Sequence, residues 1–373
     1  MDYRELARRR LPRQLFDYID GGAYAENTMR ANISALHEIR LRQRVLRDVS
    51  EIDLSAQVLG QSLATPLILA PVGLAGMFAR RAEVQAARAA ELAGVAFCES
   101  TVSICSLEEV AGVLAHPPWF QLYVMRDRSY AEQLMERATR AGCPVLVLTV
   151  DLAVVGARHR DARNGTGLQL SPAKSARKLW DYVSHPGWAI DVGLRGRPLT
   201  FGNLAAAVPG ARTPGSFKHW VDAQWDPSVT WADLAWVRRH WPGKIVLKGI
   251  LDPEDAERAV DAGMDGIIVS NHGGRQLDDV QASARVLPKV VRSVGDRIPV
   301  LVDGGIRSGL DVVKMLALGA RACLLGRAWA YAVAAAGQAG VTHVLSMMRD
   351  EMRVAMALTG NRAIADLSEQ SLD

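Results

Sequence analysis

Short aliphatic runs, turns rich in glycine or polar residues, and Ala/Glu/Arg-rich stretches of helical period follow one another along most of this chain. Eight runs read as strands: PLILAP (66–71), VAFCES (95–100), PWFQLYV (118–124), VLVLTVD (145–151), KIVLKG (244–249), GIIVSN (266–271), IPVLVDGG (298–305) and ACLLGR (322–327). They are nearly continuous in apolar residues, the pattern of strands covered on both faces and hence of a parallel sheet. The intervening stretches, such as AEVQAARAAELAG, SYAEQLMERATRAG, DPEDAERAVDAG and LDVVKMLALGA, have the apolar spacing of helices and each carries a glycine at its end, the usual left-handed cap. Eight strand-then-helix units predict an α/β fold, a single (β/α)8 TIM barrel.

The rhythm breaks once. About ninety residues separate VLVLTVD from KIVLKG, with Gly, Pro, Trp and basic residues crowded in the middle. This predicts a long insertion after the fourth strand, on the face where a barrel keeps its chemistry. The expected organisation is one domain over 1–373: an N-terminal helical segment (1–50, with two short helices near its start), a barrel from about 64 to 340, the basic insertion at about 163–220, and C-terminal helices over 341–373.

The net charge of +4 is too small to argue for nucleic acid, but its placement matters. Between Arg163 and Lys218 lie eight Lys/Arg (Arg163, Lys174, Arg177, Lys178, Arg195, Arg197, Arg212, Lys218) against Asp181 and Asp191. Interleaved with Trp180, Tyr182 and Trp188, this segment suits either peripheral contact with an anionic membrane or a lid whose aromatics pack on the barrel. No run of about eighteen apolar residues exists for a spanning helix, and the charged start MDYRELARRR does not read as a secretion signal. Cys98, Cys105, Cys143 and Cys323 form no CxxC pair and have no histidine at metal-ligand spacing. They predict reduced thiols in a cytoplasmic protein and no metal site.

Reactive groups in a barrel come from the C-terminal ends of its strands. Here those ends are Ser100, Gln121 and Tyr123, Thr149 and Asp151, Lys248, Asn271 and His272, Asp303, and Gly326 with Arg327. A plain core has no use for that set. DGGIRSG and LLGR close the last two strands, and their glycine amides with Arg307 and Arg327 suit a phosphate. In SNHGGRQLD, His272 follows a strand directly and Arg275 lies three residues on. An imidazole base beside a guanidinium fork suits a substrate with a carboxylate and a proton to lose.

SNHGGRQLD, with DGGIRSG and LLGR downstream, resembles the FMN-dependent L-2-hydroxy acid oxidases and dehydrogenases, a family that includes glycolate oxidase, (S)-mandelate dehydrogenase and bacterial respiratory L-lactate dehydrogenase. The resemblance runs from LPRQLFDYIDGGA through APVGLAGM, STVSICSLEEV, WFQLYV and LTVDLAVVGARHRD to the last strand. GGAYAENTMRAN and HPGWAIDVGLRGRP look most like the bacterial lactate dehydrogenases. It implies FMN as cofactor, His272 as base, Asp151 as the acid that stabilises its protonated form, Arg275 and Arg158 as carboxylate anchors, and Tyr18 and Tyr123 as contacts to carboxylate and hydroxyl. Lys248 would lie near the flavin N1 and O2. Ala70, Pro71, Val72, Gly73, Ser100, Gln121, Thr149, Asp303, Gly304, Gly305, Arg307, Gly326 and Arg327 would line the FMN site.

Gly73 stands where the family's oxidases tend to carry Ala and its dehydrogenases Gly. The resemblance therefore implies oxidation of L-lactate with electrons passed to a membrane quinone. An oxygen-using oxidase of lactate, glycolate or mandelate is the alternative; a barrel isomerase and a non-catalytic barrel fit the strand ends less well. At this length a fused haem domain is not expected. The resemblance also implies a homotetramer, peripheral on the cytoplasmic face of the inner membrane.

Overall fold

The computed structural model describes residues 2–163, 179–208, 220 and 223–373. Eight parallel strands close into a barrel: β3 (Leu67–Leu69), β4 (Ala96–Ser100), β5 (Trp119–Tyr123), β6 (Val145–Thr149), β7 (Lys244–Ile250), β8 (Gly266–Val269), β9 (Val300–Val302) and β10 (Ala322–Leu325), with β10 pairing back onto β3. Each lies inside one of the eight apolar runs except β7, which runs one residue past its run to Ile250.

The alternation of side chains explains why those runs are continuously apolar. Ile68, Cys98, Trp119, Val145, Val147, Val246, Ile268, Leu301, Ala322 and Leu324 fill the barrel interior. Their neighbours, such as Leu67, Phe97, Phe120, Leu146, Ile245, Ile267, Val300 and Cys323, pack against the surrounding helices. Because a strand has a period of two, the residue two places beyond the uppermost interior one again points along the barrel axis. That step gives Ala70, Ser100, Gln121, Thr149, Lys248, Ser270, Asp303 and Gly326, so the interior turns polar in one layer at its C-terminal end.

The opposite end is closed by a hairpin absent from the sequence reading, β1 (Ala56–Val58) with β2 (Gln61–Leu63), which puts Val58 and Leu63 into the interior cluster. The helices Ala82–Leu92, Arg128–Arg140, Pro253–Asp261 and Gly309–Ala317 match the four helical stretches. Three helices, rather than two short ones, precede the barrel: Tyr3–Arg10, Arg13–Asp20 and Asn27–Glu38. The third lacks a cap of its own; Asp278, some 250 positions later, accepts from the amides of Asn27 and Thr28 at 3.1 and 2.7 Å. After β10 a helix runs from Arg327 to Thr359, broken at Ala336–Gly337.

The described part of the insertion lies across the catalytic face. Trp188 is buried and donates to the Met77 carbonyl at 2.7 Å; Tyr182 tilts against Trp188 and donates to Gln14 at 3.0 Å. Asn203 bridges the Ser100 carbonyl and the Leu107 amide. Trp188 and Tyr182 thus pack on the protein, and of the three aromatics named for a membrane only Trp180 is exposed, at 71%. Lys174, Arg177, Lys178, Arg212 and Lys218 lie outside the described residues.

Candidate active site

The polar layer opens into a cavity whose lining draws on β5, β6, β7 and β10, the segments after β3, β4, β6, β8, β9 and β10, and the segment around Tyr18. His272 enters from the loop after β8. That loop is fixed from below: Ser270 Oγ accepts from the His272 amide at 3.0 Å, and Asn271 and Asn32 exchange amide hydrogen bonds at 2.8 Å. A Cβ on Gly274 would come within 2.5 Å of the Met29 amide nitrogen, so only glycine permits this approach of the loop to the helix Asn27–Glu38. His272 itself takes φ +56°, a left-handed value a histidine adopts only under constraint.

The constraint turns the ring so that Nδ1 lies 3.0 Å from Asp151 Oδ1. Asp151 follows β6 and is held below the usual carboxylate range: burial pushes it up, but His272 and Lys248 outweigh that. Burial pulls the imidazole below its ordinary value, Asp151 opposing and Lys248 and Arg158 assisting. The ring is therefore neutral at pH 7. With an ionised carboxylate at Nδ1 the proton sits there, leaving the Nε2 lone pair as the basic position.

Lys248, from the polar layer of β7, reaches Asp303 Oδ2 at 2.9 Å and Ser270 Oγ at 2.8 Å. Burial lowers the ammonium's pKa, but Asp303 and Asp151 more than compensate, so it stays charged. Ser270 was missed by the sequence reading, although period-two continuation from Ile268 identifies it.

Four arginines complete the wall. Arg307 donates to the Ile306 carbonyl at 2.8 Å. Arg327 donates to the carbonyls of Ile19, Gly273 and Gly21 at 2.7–2.9 Å. Arg275 donates to those of Tyr18 and Gly21 at 2.6 and 2.8 Å and lies 4.8 Å over the Tyr18 ring. Arg158 donates to the Arg275 carbonyl at 3.3 Å. Among the described residues none of the four has a carboxylate within ion-pair distance. Burial, with Arg275 and Arg307 nearby, pulls Arg327 down to about 9; burial and Arg275 lower Arg158.

Ala70, Pro71, Val72, Gly73, Tyr123, Thr149, Gly304, Gly305 and Gly326 line the same cavity. Ser100 and Gln121 lie deeper, buried, with Ser100 Oγ donating to Gln121 Oε1 at 3.2 Å. Apolar walls not anticipated from sequence come from Val102, Leu152, Val155 and Trp225, the last edge-on to Tyr123 at 5.0 Å. No local pattern marks Trp225, which reaches the cavity through tertiary packing.

Three features describe what this cavity can hold. Arg307, Arg327, the Gly304–Gly305 turn and the uncapped N-terminus of the helix Arg327–Thr359 meet in one corner and suit a phosphate. Gln121 Nε2 and Asp303 Oδ1 are buried without hydrogen-bond partners among the described residues; a polar heteroaromatic ring would satisfy such a donor and acceptor. Arg158 and Arg275 supply positive charge for a second anion beside His272. The donor set thus fits a phosphorylated ring cofactor together with a carboxylate.

A family model described as FMN-dependent dehydrogenase matches residues 7–373. The chain belongs to this family. Its cofactor is FMN, and the cavity that fits a phosphorylated ring is the place for it. The L-lactate dehydrogenase of Caulobacter vibrioides is 57% identical over 371 residues, covering 100% of this chain and 96% of that protein. The L-lactate dehydrogenase of Xanthomonas euvesicatoria pv. vesicatoria is 55% identical, covering 100% and 95%. Among solved structures, the monotopic membrane protein (S)-mandelate dehydrogenase superposes with a TM-score of 0.93 at 38% identity, covering 100% of this chain and 98% of its own. A mandelate oxidase superposes with a TM-score of 0.84 at 39% identity, covering 100% and 96%. This FMN-dependent dehydrogenase is therefore a flavoenzyme of the 2-hydroxy acid class on a (β/α)8 barrel.

Proposed function

We propose that this enzyme oxidises L-lactate to pyruvate and passes the electrons to a membrane quinone. The observation that carries the chemistry is the His272–Asp151 contact at 3.0 Å, which leaves Nε2 as a neutral base on a cavity walled by Arg158 and Arg275. Those two arginines hold the substrate carboxylate, and Tyr18 and Tyr123 donate from their hydroxyls to the carboxylate and the hydroxyl oxygen. His272 Nε2 takes up a substrate proton, and Asp151 stabilises the imidazolium that forms. FMN, when bound, accepts the two electrons released at the α-carbon. Ala70–Gly73, Ser100, Gln121 and Thr149 seat its ring, Lys248 offsets the negative charge acquired at the pyrimidine end, and Gly304, Gly305, Arg307, Gly326 and Arg327 hold the phosphate.

Lactate is favoured by the names of the 57% and 55% identical relatives and by the side chains of Val102, Leu152, Val155 and Trp225 closing around the cavity. Gly73 favours a dehydrogenase over an oxidase. The reading extends to a homo-oligomer held peripherally on the cytoplasmic face of the inner membrane. No helix among the described residues is long and apolar enough to cross a membrane. Leu179, Trp180, Val183, Ile190 and Leu194 of the insertion are nevertheless exposed, and a structural neighbour is described as monotopic.

Anaerobic mixing with L-lactate, glycolate and (S)-mandelate should bleach the flavin fastest with lactate, and a quinone should reoxidise it without peroxide. Stoichiometric peroxide in air, with no reaction toward quinone, would establish the oxidase instead.

A further inference from the structure

A second depression, sharing no lining residue with the active-site cavity, opens between the start of the helix Ala82–Leu92, the segment Asp191–Pro198, and the helix break at Ala336–Gly337. Arg10, Arg80, Arg81, Arg88, Arg195 and Arg197 all line it, against only Glu109 and Asp191. Arg10 and Arg80 share Asp191, at 2.7 and 3.8 Å, and Arg81 pairs with Glu109. Among the described residues the Arg197 guanidinium donates only to the Gly193 carbonyl, at 3.1 Å. The guanidiniums of Arg88 and Arg195 have no hydrogen-bond or ion-pair partner among the described residues.

Six guanidiniums against two carboxylates leave an excess of four positive charges around one concavity. Guanidinium groups without a carboxylate present forked donors that match phosphate oxygens. A second observation narrows the ligand. The backbone that brings Arg195 to the depression carries Ile190 and Leu194 just before it, exposed at 50% and 66%, with Trp180 and Val183 exposed in the preceding turn. A free phosphate would use the arginines and leave these side chains in water. A molecule with an anionic head and apolar tails uses both.

We propose that this arginine basin is a headgroup site for an anionic phospholipid, whose acyl chains lie along Ile190 and Leu194. It rests on the reading of the enzyme as a peripheral membrane protein and adds a lipid preference to it. The basin sets which membrane surface the insertion settles on, and the apolar side chains supply insertion independent of lipid charge.

The test is sedimentation of the holoenzyme at low salt with vesicles of phosphatidylcholine alone or mixed with phosphatidylglycerol. Wild type should prefer the mixed vesicles. Arg88→Gln/Arg195→Gln, which breaks no hydrogen bond of the described residues, should weaken binding to them about thirtyfold, from two arginines near an anionic surface. It should leave lactate-driven flavin reduction and binding to neutral vesicles unchanged. Arg140→Gln/Arg239→Gln, with the same change in charge elsewhere, should have a much smaller effect, and Ile190→Gln/Leu194→Gln should weaken binding to both vesicles. Equal losses in the two arginine double variants would overturn the site, leaving only general electrostatic attraction. Equal wild-type binding to neutral and mixed vesicles would overturn the lipid preference but keep the membrane reading; no binding to either would remove both. Inorganic pyrophosphate should compete with mixed vesicles for wild type. If it instead raises the melting temperature through Arg88 and Arg195 while mixed vesicles are ignored, the basin serves a soluble phosphate.

Discussion

On one side of the active-site cavity Lys248 and His272 each face a carboxylate, Asp303 at 2.9 Å and Asp151 at 3.0 Å. On the other, Arg158, Arg275, Arg307 and Arg327 find main-chain carbonyls instead. A carbonyl satisfies an N–H bond but leaves the cation's charge uncompensated, and an uncompensated charge away from bulk water is costly. On the paired side the base and the cation each have a carboxylate partner before any ligand arrives, so these groups can move protons and tune electrons. On the proposed reading, the unpaired side is complete only once a phosphate and a carboxylate are bound. The fold therefore separates the chemistry of the reaction from the recognition of its anions.

The sharpest break in this comparison is to remove the base from the paired side. His272→Gln should keep FMN but slow anaerobic flavin reduction by on the order of 10²–10⁴-fold, as for loss of a positioned general base. Stopped-flow reduction near the wild-type rate would remove His272 from the mechanism. On the unpaired side, Arg327→Ala should instead weaken FMN binding by about ten- to a hundredfold, from a lost charge-assisted contact of about 1.5–3 kcal/mol. Titration of apoenzyme with FMN measures it, and substrate affinity of the FMN-saturated variant should change less.

Arg275→Lys tests the second anion. A point charge replaces a fork held by two carbonyls and the Tyr18 ring, so kcat/KM for lactate should fall about tenfold or more. Lactamide, lacking the charge, should be a poor substrate for wild type, and equal use of acid and amide would count against carboxylate recognition.

The pH dependence sharpens the paired side. His272 must be neutral to accept a proton, and burial holds its pKa below the ordinary value. Activity should therefore stay level as pH falls through about 6.5, the unperturbed histidine value, and decline only at more acid pH. Asp151 is the main group raising that pKa, so Asp151→Asn should lower the plateau and move the acid limb further down. A limb that moves toward neutral pH would contradict the contact.

The smallest effect is expected at Gly73. A Cβ there would meet the Val102 methyl at 2.6 Å with the Tyr18 hydroxyl at 3.6 Å. Gly73→Ala should displace Val102, slow flavin reduction several-fold and raise oxygen consumption, read with an oxygen electrode. Unchanged oxygen consumption would free Gly73 from the choice of acceptor.

The eight strands were legible because burial on both faces demands apolar residues at every position, and that demand is written locally in each run. His272, Arg275, Lys248 and the DGG turn were legible for the complementary reason: a polar residue directly after an apolar strand has few places to go but the barrel mouth. What no local pattern carries is closure over distance. The helix Asn27–Glu38 is capped by Asp278, the hairpin at Ala56–Leu63 plugs the barrel floor, and the His272 loop is locked by Asn32. Trp188 and Tyr182, which composition alone leaves free to face a membrane or the protein, are turned inward by hydrogen bonds to Met77 and Gln14. The sequence by itself determined the barrel and which polar residues stand at its mouth, since both follow from periods of a few residues. Only the tertiary structure decided which charges have partners. Pairing depends on groups more than a hundred residues apart, such as Asp151 and His272, and on carbonyls of Tyr18 to Gly21 that any residue type could have supplied.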